Sequence, residues 1–260
     1  MDPVLMKHFR FILLTLFSVI ALAVNAQKLP KIQEESVYAP VNIKIDGKAT
    51  EWDGKFQAYN HATNLFYTIA NDDNNLYLVV HATEPNIIYK IINGGITFTI
   101  NPSGKKNDIG IMIIYPLFGR TNSPILNLKD KPVLTKDSAI NNAKIDSFRN
   151  VINMQLTNKS KEIKVSGIKA INDTLISVYN EYGIKTAQLF DNKIAYTYEL
   201  AIPLKYIGLK AQKFIYNIKI NGMNTVIPKN ATITVMIVKA GSMGAMADTD
   251  FWGEYSLAQK

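Results

Sequence analysis

Cysteine is absent from all 260 residues. An exported chain without it has neither a disulfide framework nor a lipidated cysteine as an anchor, so its stability has to come from an apolar core. Histidine is nearly as scarce: beyond the N-terminal segment there are only His61 and His81, neither with a partner at metal-ligand spacing. The sequence Ala-Gly-Ser-Met-Gly at 240–244 comes close to a nucleophile elbow around Ser242, but no histidine follows residue 81 to serve it. Phosphate-cradling glycine loops, dinucleotide fingerprints and zinc signatures are missing as well, as is any nucleic-acid module with a recognisable signature. Long apolar runs are limited to one, Phe11 to Val24, shorter than the roughly 20 residues of a membrane-spanning helix.

That run follows Lys7 and Arg10 and ends near the small residues Val24 and Ala26. Basic start, short apolar stretch and small-residue exit together predict a secretory signal peptide over 1–26, with Met6 as its natural start. The remainder, 27–260, is expected to be a single exported domain without a transmembrane segment, in the periplasm or outside the cell. The net charge of +8 falls to +7 once Asp2, Lys7 and Arg10 are set aside. The bases are scattered along the chain, which describes a solvated surface and not a nucleic-acid interface.

What the sequence does have is alternation. Leu65-Tyr67-Ile69, Leu76-Leu78-Val80, Ile96-Phe98-Ile100, Tyr196-Tyr198-Leu200-Ile202 and Phe214-Tyr216-Ile218-Ile220 each put apolar side chains on one face. Val41-Ile43-Ile45, Ile109–Tyr115, Ile163–Ile168, Leu175–Tyr179, Thr186–Phe190, Ile233-Val235-Ile237 and Phe251–Leu257 extend the set to about a dozen expected strands. Asn, Asp, Gly and Pro clusters such as 71–75 and 101–108 separate them. The pattern predicts an all-β, jelly-roll-like antiparallel sandwich. One stretch departs from it: residues 136–157 lack Pro and Gly and place Ile145, Phe148, Ile152 and Leu156 at helical spacing behind Asp137 and Ser138, so a helical insertion is expected there.

Three stretches in order, IDGKATEW (45–52), NDDNNLYLVVHA (71–82) and YTYELAIPLKYIGL (196–209), followed by FWGEYSL (251–257), resemble the family 9 carbohydrate-binding modules and the wider DOMON-like β-sandwich group. The resemblance covers nearly the whole chain after the N-terminal segment. It implies a non-catalytic glycan-binding protein with a pair of aromatic side chains as the platform, polar groups around them, and calcium as a structural element. Sugar-binding members carry an aromatic just before the acidic hairpin, where this chain has Ala70-Asn71.

The candidate ligand-binding residues are therefore Trp252 and Tyr255 on the last strand together with Asn71. Asp248 and Asp250 are the candidate calcium ligands. Trp52 is expected to plug the core alongside Leu76, Leu78, Tyr198 and Leu200, and Glu199, on the opposite strand face, to point outward or pair with a base. Two other functions remain open: a cell-envelope scaffold that uses the same sandwich without a sugar site, and a glycoside hydrolase, which rests only on carboxylates whose separation a sequence does not give.

Overall fold

The computed structural model describes residues 28–107, 109–118, 122–124, 132, 138–208, 213–222 and 247–260. The expected signal peptide, the strand at 233–237, Asp137 and Ser242 lie outside them. Residues 31–260 form one compact unit.

Among the described residues eleven strands build two antiparallel sheets, bearing out the all-β sandwich. The strands are β1 (Ala58–Asn60), β2 (Leu65–Asn71), β3 (Asn75–Ala82), β4 (Ile96–Asn101), β5 (Ile111–Tyr115), β6 (Glu162–Ser166), β7 (Leu175–Ser177), β8 (Lys185–Phe190), β9 (Tyr196–Pro203), β10 (Lys213–Ile220) and β11 (Thr249–Ser256). The five-stranded sheet runs β1-β2-β3-β9-β8 and the six-stranded sheet β11-β10-β4-β5-β6-β7. Their inner faces share one core that includes Tyr67, Leu76, Leu78, Phe98, Ile113, Tyr198, Leu200 and Tyr216. At its centre the Tyr67 and Tyr216 hydroxyls meet at 2.9 Å, one from each sheet. The Tyr216 ring lies over Gly253, where a Cβ would fall 2.3 Å from it, so only glycine fits there.

Among the described residues two α-helices interrupt the strands, besides a 3-10 turn at Leu204–Tyr206. Helix α2 (Ser138–Lys159) is the expected insertion; Ile152 and Leu156 are buried, and Ile145 and Phe148 pack against the core beside them. Its Asn153 clamps the end of β8, accepting from Phe190 N at 2.7 Å and donating to Phe190 O at 3.0 Å. Helix α1 (Pro85–Gly94) was not anticipated. Pro85 opens it, Ile88, Ile91 and Ile92 are buried at helical spacing, and Gly95 closes it at φ 77°. Proline is well suited to a first helical turn and glycine to its exit.

One expected strand is absent. Residues 41–45 form no strand with any described neighbour; Asn42 turns at φ 66°, and Ile43 and Ile45 pack, partly buried, against the outer face of the five-stranded sheet. The segment before them does join the sheet edge. The Gln33 side chain bonds the free backbone of Ile69 at 2.7 and 2.8 Å, and Tyr38 forms a parallel bridge with Asn71. β1 covers β2 only as far as Tyr67, so these contacts satisfy the edge where β1 ends.

Candidate functional site

The outer face of the five-stranded sheet carries three cross-strand rows, fixed by register. The middle row is Thr68, Val79, Glu199 and Ala187. Glu199 does face outward, as alternation requires, but it is only 1% exposed and pairs with no base among the described residues. The IDGKATEW turn covers it: the carboxylate accepts from Asp46 N at 3.0 Å, Gly47 N at 2.8 Å and Trp52 Nε1 at 3.3 Å. Burial pushes Glu199 up to about 7, against the pull of those three N–H donors. Gly47 sits at φ 83° and its position leaves no room for a Cβ against the Gln188 backbone. Trp52, 7% exposed, packs with Ala39, Ala70, Tyr77, Val79 and Ala201 in a second, smaller apolar cluster. Trp52 is a plug, but it seals the outer face of one sheet and not the core between the two.

The residues singled out on β11 do not assemble into a platform. Trp252 is half-buried on the outer face of the six-stranded sheet, whereas Phe251 and Tyr255 point into the core. The Tyr255 hydroxyl donates toward Val37 O and Asn71 Oδ1, both at 3.0 Å. Asn71 is buried too, and holds the C-terminal tail by bonds to Ala258 N at 2.7 Å and Ala258 O at 3.1 Å. Tyr255 and Asn71 are thus structural fastenings on the other side of the strand from Trp252.

Asp248 and Asp250, the expected calcium ligands, both already have protein partners. Asp248 accepts from Gly222 N at 2.7 Å and faces Lys219 Nζ at 3.6 Å, while Asp250 accepts from Asn217 Nδ2 at 2.6 Å. A second ammonium, Lys90, bonds Thr249 Oγ1 between them at 2.9 Å. Lys219 thus partners Asp248, whereas Asp250 forms no ion pair among the described residues. Among the described residues no group of three or more His, Asp or Glu converges as a cation site.

The row below Glu199 is aromatic: Tyr59 on β1, Phe66 on β2 and His81 on β3 stand side by side, followed by Thr197 and Leu189. Tyr59 and Phe66 have ring centroids 4.5 Å apart, and Phe56, from the end of the covering segment, stacks on His81 at 5.1 Å and 18°. All four rings are partly exposed, and the exposed His61 meets Tyr59 edge-on at 4.8 Å. Polar groups border the row. Tyr59 OH bonds Asn64 Oδ1 at 3.1 Å, and His81 Nδ1 bonds Thr197 Oγ1 at 3.1 Å. Burial lowers the His81 pKa, so the ring stays neutral to lower pH than an ordinary imidazole.

No protein-family model matches this chain, and no curated protein aligns with it. The site is therefore defined by its own geometry.

Above Glu199 lies the third row: Ala70, Tyr77, Ala201 and Lys185. The small Ala201 leaves a cleft of about 300 Å³ between Tyr77, Asn75 and Lys185 on one side and Ile43, Lys44 and Ile45 on the other. Tyr77 OH donates to Asp72 Oδ2 at 2.7 Å and accepts from Asn75 Nδ2 at 3.3 Å. Hydrogen bonds from Tyr77 and from the Asn74 and Asn75 backbone hold Asp72 below its usual range despite partial burial.

Neither the aromatic row nor the cleft was foreseen. Phe66 and His81 are on the outward parity of their strands, so each could be read singly as surface. Their meeting depends on the register of β1, β2 and β3, which a single sequence does not contain.

Proposed function

We propose that this chain is an exported, non-catalytic glycan-binding β-sandwich that engages sugar through the Tyr59–Phe66–His81 row. The observation that carries the reading is that row: three partly exposed rings side by side on one sheet face, with Phe56 of the covering segment stacked on His81, bordered by Asn64 and Thr197. Sugar rings present C–H faces to aromatic side chains and hydroxyls to the polar groups at their rim, which is the combination this surface offers. Export is supported by the basic start and short apolar run at the N-terminus.

The test is calorimetric titration of the purified protein with a panel of neutral oligosaccharides. Binding by at least one is expected, with Tyr59→Ala and Phe66→Ala each weakening it about fivefold to tenfold, the equivalent of roughly 1 kcal/mol per ring. Trp252→Ala, on the other sheet, should leave it unchanged. A panel without a binder, or a binder indifferent to both ring variants, overturns the reading.

A second reading, an envelope scaffold, is favoured by the exposed apolar side chains of α2, Val151 at 49% and Met154 at 58%. It requires a stoichiometric partner that co-purifies with the wild type and is lost on Val151→Lys or Met154→Lys.

A further inference from the structure

We infer that the cleft at the upper row is a separate site for an acidic sugar, a carboxylate-bearing monosaccharide or chain end held between Lys44 and Lys185. The inference rests on the glycan-binding reading for its ligand being a sugar, and on the cleft alone for that sugar being anionic.

Lys44 and Lys185 both line the same cavity, both are exposed, and neither forms an ion pair among the described residues. Three acids of the flanking segments already have partners, though Asp72, held ionised by its hydrogen bonds, keeps its charge beside the cleft. Asp46 pairs with Lys48 at 3.1 Å, Asp72 is held by Tyr77 and two backbone N–H groups, and Glu199 is sealed beneath the IDGKATEW turn. Glu181, exposed in the loop leading to Gly183, makes no ion pair among the described residues; its charge opposes that of the lysines without cancelling both.

Two unpaired ammonium groups at one concavity attract an anion and can each donate to it. The rest of the lining suits a sugar ring. Ile43 and Ile45 offer an apolar wall, and Asn75 and the Tyr77 hydroxyl offer polar contacts across from it. A volume of about 300 Å³ is at the small end for ligand sites, which fits a single ring or a chain terminus better than an internal stretch of polymer. The cleft and the aromatic row stand at opposite ends of the sheet face with the Glu199 row between them. They are therefore independent in mutational terms.

The experiment is calorimetric titration with glucuronate, glucose and sodium acetate, on the wild type, the Lys44→Gln/Lys185→Gln pair and Phe66→Ala. Saturable binding of glucuronate is expected, absent for glucose, far weaker for acetate and reduced as salt rises. The double lysine variant should bind glucuronate at least about tenfold more weakly, with Phe66→Ala unaffected. Both lysines are exposed, so the variant should keep the wild-type thermal midpoint.

Absence of glucuronate binding, or binding unchanged in the lysine pair, overturns the inference. Acetate binding as tight as glucuronate overturns the sugar class. If neutral oligosaccharides bind through Phe66 while glucuronate does not bind, the cleft proposal fails and the glycan reading stands. If glucuronate binds through the lysines while every neutral glycan fails, the aromatic row is discarded as the glycan platform and the cleft is retained.

Discussion

Glu199 shows how one side chain can couple a covering loop to pH. Its folded value of about 7 lies above the ordinary 4.5, so between those limits the folded protein binds a proton that the unfolded chain releases. Stability from this group is complete below about pH 4.5 and is lost as pH rises through about 7, by at most about 3 kcal/mol. Glu199→Gln removes the titration while leaving an oxygen for the Asp46 and Gly47 N–H groups. The wild type is expected to lose thermal midpoint between pH 5 and 8 relative to the variant; parallel profiles would refute the assignment. His81 titrates in both proteins, so the difference isolates Glu199. Sequence reasoning placed this carboxylate on the correct strand face. It missed the burial, because the covering turn lies some 150 positions earlier and no local pattern announces that the two will meet.

Among the elements, helix α2 was legible and helix α1 was not. The stripe Ile145, Phe148, Ile152, Leu156 stands alone in a long stretch without glycine or proline. In α1 the isoleucines 87, 88, 91 and 92 run directly toward the apolar β4, and only Pro85 and Gly95 mark the boundaries. The stretch Val41-Ile43-Ile45 teaches the converse. Alternation there correctly reports which side chains face an apolar surface, but the backbone lies across the sheet instead of joining its ladder.

A helix that is an insertion also needs an attachment. For α2 that role falls to Asn153, whose amide satisfies both backbone groups of Phe190 at the sheet edge. Asn153→Ala is expected to cost about 1–3 kcal/mol in chemical denaturation. It should accelerate amide exchange at Phe190 well before any change appears in β3. Uniform acceleration across both sheets would show that the clamp has no local role.

For the molecule as a whole, most strands and their alternating faces were readable, which is why the sandwich could be anticipated, although the short β1 was not expected and 41–45 is no strand. The pairing order was not, since β9 slots between β3 and β8 and hydrophobic pattern carries no information about neighbours. The sheets are joined across the core at Tyr67 and Tyr216, and close packing there is more stringent than hydrogen bonding. Tyr216→Phe deletes one hydroxyl and should cost about 1 kcal/mol, whereas Gly253→Ala drives a methyl into a buried ring and should cost about 1–3 kcal/mol or more. Thermal melts should rank the glycine variant below the phenylalanine variant; the reverse order would mean the ring yields easily.

The Asn71 fastening bears on how the protein responds to force. Ser36 Oγ donates to Ser256 O at 2.7 Å, Val37 N and O both meet the Tyr255 hydroxyl, and Ala258 is tied to Asn71. The incoming and outgoing ends of the sandwich are thus moored at one corner. Tension applied between them would fall first on these few bonds, peeling the corner open one contact at a time, while the strands of both sheets stayed out of the line of pull until the mooring had parted.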